Sequence, residues 1–544
     1  VGAPWRAVAA GADLAYDVVV VGAGVAGLVA ALDVLDASPG CSVAVVDKGE
    51  IGSSGSTPLA QGGMAAAVGP GDSPILHAAD TIRAADGLSD PRAVAVLTAE
   101  GPARVDDLVA RGAVFDRTPS GQLDLAREGG QSVPRSVRAA DATGAEIFRA
   151  LRVGATGRVT RLQGIACGLA EGPGPSRGAC GVWALLDEVD ASPSGPAQEP
   201  GLVLIRGRAV VLATGGCGGL YAATTNRDGA TADGVALAYA VGAALVDLEF
   251  VQFHPTGLTV AADGHRRLLL TEALRGAGAV LVDAEGRRFM VDRHPDAELA
   301  PRHVVTKGIL DQPAGAWLDA TMLGPDVLAS EFPTVLAGVR RHGFDLASEP
   351  VPVEPCQHYM IGGVATDLAG RTSVAGLWAA GEVASTGVHG ANRMAGNSLL
   401  QSCVFGHRSA RAVAASLVTA EPAGGDPPPP VFAGAPVAAD LGTLRTEVRV
   451  AMSAGAGPIR SGATLATADK ALDAASARLG PAPAAARDAV EVAHLLVTGR
   501  LILRSARLRT ESRGVHWRED CPGSARDWSS VRLRVQRPRL TQEP

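Results

Sequence analysis

Two histidines and two arginines stand in settings suited to binding a small dianion. They are His254 in Phe253-His254-Pro255-Thr256, Arg302 in Leu299-Ala300-Pro301-Arg302, His358 in Gln357-His358-Tyr359-Met360-Ile361-Gly362-Gly363, and Arg393 in Gly390-Ala391-Asn392-Arg393. Each stretch carries Gly or Pro and reads as irregular, the setting in which functional groups tend to be presented. A guanidinium grips a carboxylate through two parallel hydrogen bonds, so such a set can neutralise two carboxylates. Taken singly, each residue also has an ordinary structural role: a core imidazole, a surface cation or an ion pair. One acid belongs with them. Glu128, in Arg127-Glu128-Gly129-Gly130-Gln131-Ser132, lies beside two glycines on a loop, where its carboxylate can face a ligand or solvent.

Something must hold these groups, and the first element is near the start of the chain. Asp17-Val18-Val19-Val20-Val21 runs into Gly22-Ala23-Gly24-Val25-Ala26-Gly27, followed by a helical pattern through Leu35. In such a turn Gly22 permits the sharp bend, Gly24 lets the backbone approach a pyrophosphate, and Gly27 lets helix and strand pack closely. The helix N-terminus offers unpaired N–H groups and a positive dipole end to the phosphates. A second strand, 42–46, ends at Asp47, twenty positions after Gly27, where an acid can hold a ribose hydroxyl. The order strand, turn, helix, strand, acid predicts a dinucleotide site.

Further along, Gly52 to Gly63 is a run of small and hydroxyl residues that could lie against a flat ring or form a surface loop. Helical spacing recurs at 77–85 and 94–110. Residues 171–201, rich in Gly, Pro and Ser, read as a surface excursion. Ala209 to Ala213 reads as a buried strand entering Thr214-Gly215-Gly216, and Asp233 to Val246 as an apolar helix with an acid at its start. The character changes at Leu248 and returns to a strand-to-Gly turn at Gly376-Leu377-Trp378-Ala379-Ala380-Gly381-Glu382, with Asn397-Ser398-Leu399-Leu400 opening a helix. A nucleotide domain interrupted by an inserted lid follows, with parts at 1–247 and 361–422 and the lid at 248–360. Gly424-Gly425-Asp426 and four prolines mark a linker, 423–440, before a C-terminal helical bundle, 441–544. Its Arg-rich tail from Arg526 reads as a solvated or docked extension, with nucleic-acid contact a weak alternative. The expected class is α/β, Rossmann-like, with an α+β cap and a helical end.

Composition narrows the partners. Hydrophobic residues make up 47% and charged residues 19%, enough for a large core, and the net charge of −7 argues against nucleic acid. Apolar runs fall short of the ~20 residues that span a bilayer. No basic-then-apolar leader opens the chain, so a cytoplasmic location is expected. Seven scattered cysteines form no C-x-x-C pair and indicate no metal site.

Together these motifs, with Glu511-Ser512-Arg513-Gly514-Val515-His516-Trp517-Arg518-Glu519-Asp520-Cys521-Pro522, resemble the flavoprotein family of succinate dehydrogenase and fumarate reductase over nearly the whole chain. The likeness is nearest to the branch that oxidises L-aspartate. It implies an extended FAD with its adenine end at Gly24, Asp47 and Lys48. The ring would lie near Ser56, Thr57, Ala60, Gln61, Gly62, Gly63, Glu382, Ser398 and Leu399, and Asp233 would support the cofactor. Ser56 stands where the membrane-complex members carry a flavin-linked His, so non-covalent FAD is implied. His254, Thr271, His358 and Arg393 would bind substrate carboxylates, Glu128 the ammonium, and Arg302 would serve in proton transfer. The implied reaction passes hydride from L-aspartate to FAD, with dioxygen or fumarate as the final acceptor. Quinolinate synthase is then a plausible functional partner.

Three positions depart from the family pattern: Gln131 for His, His303 for Asp and Gln401 for an acid; 445–460 also reads as an irregular helix. Loss of the acid beside Arg302 bears on how that residue is oriented. Two other readings stay open here: a fumarate reductase or succinate dehydrogenase-like protein, and an FAD-binding protein whose catalysis has decayed.

Overall fold

The computed structural model describes residues 14–49, 55–172, 178–187, 201–418, 427–431, 440–480 and 485–537. Its centre follows from the valines of β1 (Leu14–Val21), which are buried on both faces as a parallel strand requires. After the glycine turn come α1 (Val25–Ala37) and β2 (Val43–Asp47). β1 pairs in parallel with β2, Val18 opposite Val43, and on its other side with the strand Gly201–Leu212, Val18 opposite Ala209. Gly22 has φ +104°, and a Cβ there would lie 2.3 Å from the Ala213 carbonyl oxygen. At Gly27 a Cβ would lie 1.9 Å from the Gly22 oxygen. Both glycines are therefore demanded by close backbone approach.

Two expectations need correction. The stretch expected as a surface excursion contains the strand Ala179–Leu186, which lies within the sheet between Thr160–Glu171 and Gly201–Leu212. Its apolar run, Val182 to Leu186, was masked by flanking Gly, Pro and Ser; 173–177 and 188–200 lie outside the described residues. The helix expected over 233–246 stops at Ala240, because Gly242 turns the backbone to φ +72°. Leu245–Val246 then forms a strand.

From Val251 to Met360 the chain builds a separate antiparallel sheet in the order Arg266–Leu269, Val251–Asp263, Val351–Met360, Ala316–Asp319, Val280–Val282. Its helices, including Glu272–Ala277, Arg302–Leu310 and Pro333–Arg341, share an apolar core with it around Leu258, Val305, Leu318 and Val335. This unit is fastened to the part built around β1 by Asp141, which accepts hydrogen bonds from Thr334 N (3.0 Å) and Val335 N (2.7 Å). Those N–H groups belong to the first turn of Pro333–Arg341, where an acid is favoured by the helix dipole. Arg138 adds a bond to Glu331 at 2.9 Å.

Past the cap, Leu377–Ala379 joins the outer edge of the first sheet beside Val210–Leu212, and the long helix Asn397–Leu417 lies against α1. The linker expected at 423–440 falls largely outside the described residues. Beyond it Leu441–Gly455, Gly462–Leu479 and Arg487–Leu508 pack together. The first is regular to Gly455 and capped by Asp440, so the irregularity expected over 445–460 is confined to its end. The tail docks: Arg534–Val535 pairs with Leu245–Val246, and Arg532 binds Asp247. Arg509 sits fully buried between Glu249 and Glu511, at 2.7 and 2.8 Å, tying this end to the centre. Among the described residues no helix is long and apolar enough to cross a membrane.

Candidate cofactor cleft and substrate site

A cleft begins at the Gly22–Ala26 turn and runs past Asp47, Gly215 and Asp233 to Glu382. A second chamber shares Val25, Ser56, Thr57, Glu382 and Ser402 with it, and extends to Ala60, His358, Ser398 and Leu399. Glycines line the first cleft, and at Gly55 and Gly215 a Cβ would meet nothing within 4 Å. Neither Gly24 nor Gly396 caps its helix with a side chain; Val25 N reaches Thr57 Oγ1 and Asn397 N the Met394 carbonyl, each at 3.4 Å, so the next N–H groups of the two helices are the ones that can meet a ligand. The first is at the cleft, where a pyrophosphate fits; the second is at the far chamber, where a polar ring edge fits. Gln61, also buried, leaves its Oε1 without a hydrogen-bond partner. These features suit FAD bound in an extended form.

The sequence-predicted cofactor residues divide into two groups. Asp47 is fixed at the end of β2 by accepting from Ala23 N at 2.8 Å. Thr57 Oγ1 accepts from Val25 N at 3.4 Å, and Ser56 Oγ from Arg227 N at 3.4 Å. Lys48 and Asp233 form an ion cluster. Lys48 Nζ lies 2.9 Å from Asp233 and 2.9 Å from Glu491, and His494 Nδ1 lies 2.9 Å from Asp233. Burial opposes ionisation of Asp233, but Lys48 and His494 hold it well below the usual carboxylate range. Gly62 and Gly63 border Glu128: Gly63 N donates to its Oε1 at 2.8 Å. Glu382 accepts from Met360 N at 2.8 Å, and burial pushes its carboxyl up to about 7.

Beyond the second chamber the charged residues converge. Gln252 Oε1 accepts from Arg302 Nη1 and from Arg393 Nε, each at 3.2 Å. Two buried guanidinium groups thus share one neutral oxygen. Burial and the nearby Arg302 charge lower Arg393 to about 9, although its guanidinium also stacks 4.8 Å from the Tyr359 ring. Desolvating an ion costs several kcal/mol, so this arrangement favours an arriving anion. Arg302 opens the helix Arg302–Leu310, and its Nε donates to Glu272 Oε2 at 2.7 Å. One turn on from Glu272, Arg275 Nη2 lies 3.9 Å away, and its Nη1 donates to the Glu298 carbonyl. Burial works against the Glu272 charge, but Arg302 and Arg275 hold its carboxyl below the usual range. The acid paired with Arg302 is therefore Glu272, from another helix, and not a sequence neighbour.

His254 Nδ1 accepts from Thr256 N at 3.3 Å, which leaves Nε2 carrying the proton. Burial, then Arg302 and His358, pushes His254 well below its ordinary value, so it is a neutral donor. His358, with ring centroid 5.1 Å from that of His254, is lowered by burial and by Arg302 and Arg393; its Nδ1 lies 2.7 Å from Thr225 Oγ1. Thr271 caps the helix Glu272–Ala277 by accepting from Ala273 N at 3.4 Å, and so positions Glu272 and Arg275. Glu128 is 2% exposed. Burial and the neighbouring Glu272 charge raise its carboxyl above the ordinary value, against Gly63 N and Arg302.

Gln252, Glu272 and Arg275 were not singled out as site residues from the sequence. Glu272 and Arg275 had a readable signal in Thr271-Glu272-Ala273-Leu274-Arg275, an acid and a base three apart on one helix face. Gln252 had none.

Comparison with known proteins places the chain among flavoproteins. Residues 17–399 match the FAD binding domain family, and 445–539 the fumarate reductase flavoprotein C-terminal family. The chain is 44% identical to an L-aspartate oxidase of Streptomyces coelicolor, covering 95% of this chain and 90% of that one. It is 42% identical to an L-aspartate oxidase of Caulobacter vibrioides, covering 93% of both. Among solved structures, FrdA of E. coli quinol fumarate reductase superposes with a TM-score of 0.84 at 28% identity over 98% of each chain. Sdh1 of Mycobacterium smegmatis gives 0.79 at 31% identity, over 96% of this chain and 91% of that one.

Proposed function

The chain belongs to the L-aspartate oxidase family of FAD-dependent enzymes, and on that premise we propose how its residues share the work. The reaction is the oxidation of L-aspartate to iminoaspartate, the first step of de novo NAD biosynthesis. FAD, when bound, supplies the hydride acceptor. Arg393, His254 and His358 bind the two substrate carboxylates, and Arg302 binds and polarises the substrate near Cα. Glu128 accepts a hydrogen bond from the ammonium, and its raised proton affinity suits it to take the proton that the ammonium loses. A guanidinium parts with its proton reluctantly, so any proton passing through Arg302 needs Glu272 as its immediate partner at 2.7 Å. Ser56 cannot bear a flavin, so FAD is held without a covalent bond.

The observation that carries this reading is the charge balance. Arg302, Arg393 and Arg275 face Glu128 and Glu272, and the buried histidines are neutral. The set is one positive charge in excess, which L-aspartate, with one negative charge in excess, neutralises. A dicarboxylate without an ammonium leaves a surplus negative charge unless Glu128 is protonated, so a dedicated fumarate reductase fits less well. The same argument lets fumarate serve as an acceptor when Glu128 carries a proton; dioxygen is the other acceptor. Iminoaspartate hydrolyses readily, which favours prompt use by quinolinate synthase, and a cytoplasmic location suits that coupling.

Aerobic turnover of L-aspartate is expected to release oxaloacetate and ammonium in equal amounts, from hydrolysis of the imine, while acid precipitation releases all the FAD. Formation of neither product, or flavin retained by the precipitate, contradicts the assignment.

A further inference from the structure

The loop that carries Glu128 joins the short strands Leu125–Ala126 and Ser136–Val137, and it has little regular structure to fix a side chain. One buried amide is placed to do so. Gln131 is 3% exposed; its Oε1 accepts from Glu128 N at 3.0 Å, and its Nε2 donates to Ser136 Oγ at 2.8 Å. The same Nε2 reaches the Ala395 carbonyl at 3.5 Å, on the segment between Arg393 and the helix Asn397–Leu417. Gly130, at φ +83°, lets the loop turn back on itself, and Gln131 N closes it by donating to the Glu128 carbonyl at 3.2 Å.

We propose that Gln131 is a positioning residue for Glu128, its amide bridging the Glu128 backbone and the Ser136 hydroxyl so that the carboxylate is aimed at the substrate ammonium. This rests on the reading that Glu128 receives the ammonium. The direction of the hydrogen bonds carries the argument. An amide Nε2 can only donate, so Ser136 Oγ must accept from it. The single hydroxyl proton of Ser136 is then free to turn toward the Glu128 carboxylate, whose ionised form Ser136 favours. The charged groups facing Glu128 are Glu272, which opposes its ionisation, and Arg302, which favours it; Arg275 lies within range. Without the bridge, burial and Glu272 raise the carboxyl further.

The test uses the holoenzyme with two substrates. Gln131→Met keeps the length of the side chain and removes both hydrogen bonds. It is expected to lower kcat/KM for L-aspartate about tenfold. Oxidation needs ionised Glu128, so the low-pH limb of the profile moves to higher pH. Fumarate reduction by chemically reduced enzyme changes less than about twofold. Gln131→His, with an acceptor on one ring nitrogen and a donor on the other, restores most of the loss. If Gln131→Met fails to retain FAD, Gln131→Asn, too short to span both partners, is expected to show the same selective loss. Parallel losses for both substrates with an unmoved pH limb overturn the proposal. Glu128→Gln, measured alongside, separates the two failures. If it too affects both substrates equally, the ammonium reading falls; if it alone is selective, only the positioning role does.

Discussion

Replacing Arg302 with Leu is expected to leave FAD bound and to abolish its reduction by L-aspartate, with a loss of about 10³-fold or more. In the proposed roles the guanidinium binds and polarises the substrate, and in the structure it meets the Glu272–Arg275 pair. Its removal deletes a charge-assisted contact to the substrate and leaves Glu272 buried without its nearest partner, the costly way to break a buried pair. FAD binding should survive, because Arg302 lines neither the nucleotide cleft nor the second chamber. Arg302→Lys keeps the charge but not the planar fork, and partial activity is expected. The check is single-turnover reduction followed in the visible spectrum. A variant reduced at the parent rate would take Arg302 out of the mechanism.

Glu128→Gln is expected to separate the two half-reactions. L-Aspartate oxidation should fall about 10²-fold, since the ammonium loses a charged acceptor in a buried site. Fumarate, with no ammonium, should lose little. The pH dependence gives a second readout. Fumarate favours the protonated form of Glu128, whose carboxyl is raised by burial and Glu272. Fumarate turnover in the parent should therefore decline as pH rises through that raised value, while L-aspartate oxidation declines as pH falls through it. In the variant the first dependence disappears. Comparing kcat/KM for both substrates across pH tests this, and equal losses would remove Glu128 from ammonium recognition.

What could be read in advance was local. The turn at Gly22 to Gly27 is legible because strand, bend and helix N-terminus are contiguous and their chemistry is set by glycine sterics. His254, Arg302, His358 and Arg393 are legible as types in irregular settings. Their mutual placement is not, because Gln252 joins Arg302 and Arg393 across 50 and 141 positions. Lys48 lines the nucleotide cleft, but the partner that holds its ammonium, Glu491, is 443 positions away and is not legible locally. The role of Glu272 was hidden by the expectation that an acid beside Arg302 in sequence must orient it, whereas a neighbour across 30 positions does so. Ala179–Leu186 was lost for a compositional reason, its apolar run averaged away by the residues on either side.

The central claim is that these converging charges recognise an amino dicarboxylate and deliver it to FAD. Anaerobic addition of L-aspartate to the purified holoenzyme, followed by flavin absorbance, tests it most directly. Bleaching by L-aspartate, with none by succinate or D-aspartate, is the predicted result. Bleaching by succinate alone, or none by L-aspartate with FAD fully bound, would contradict it.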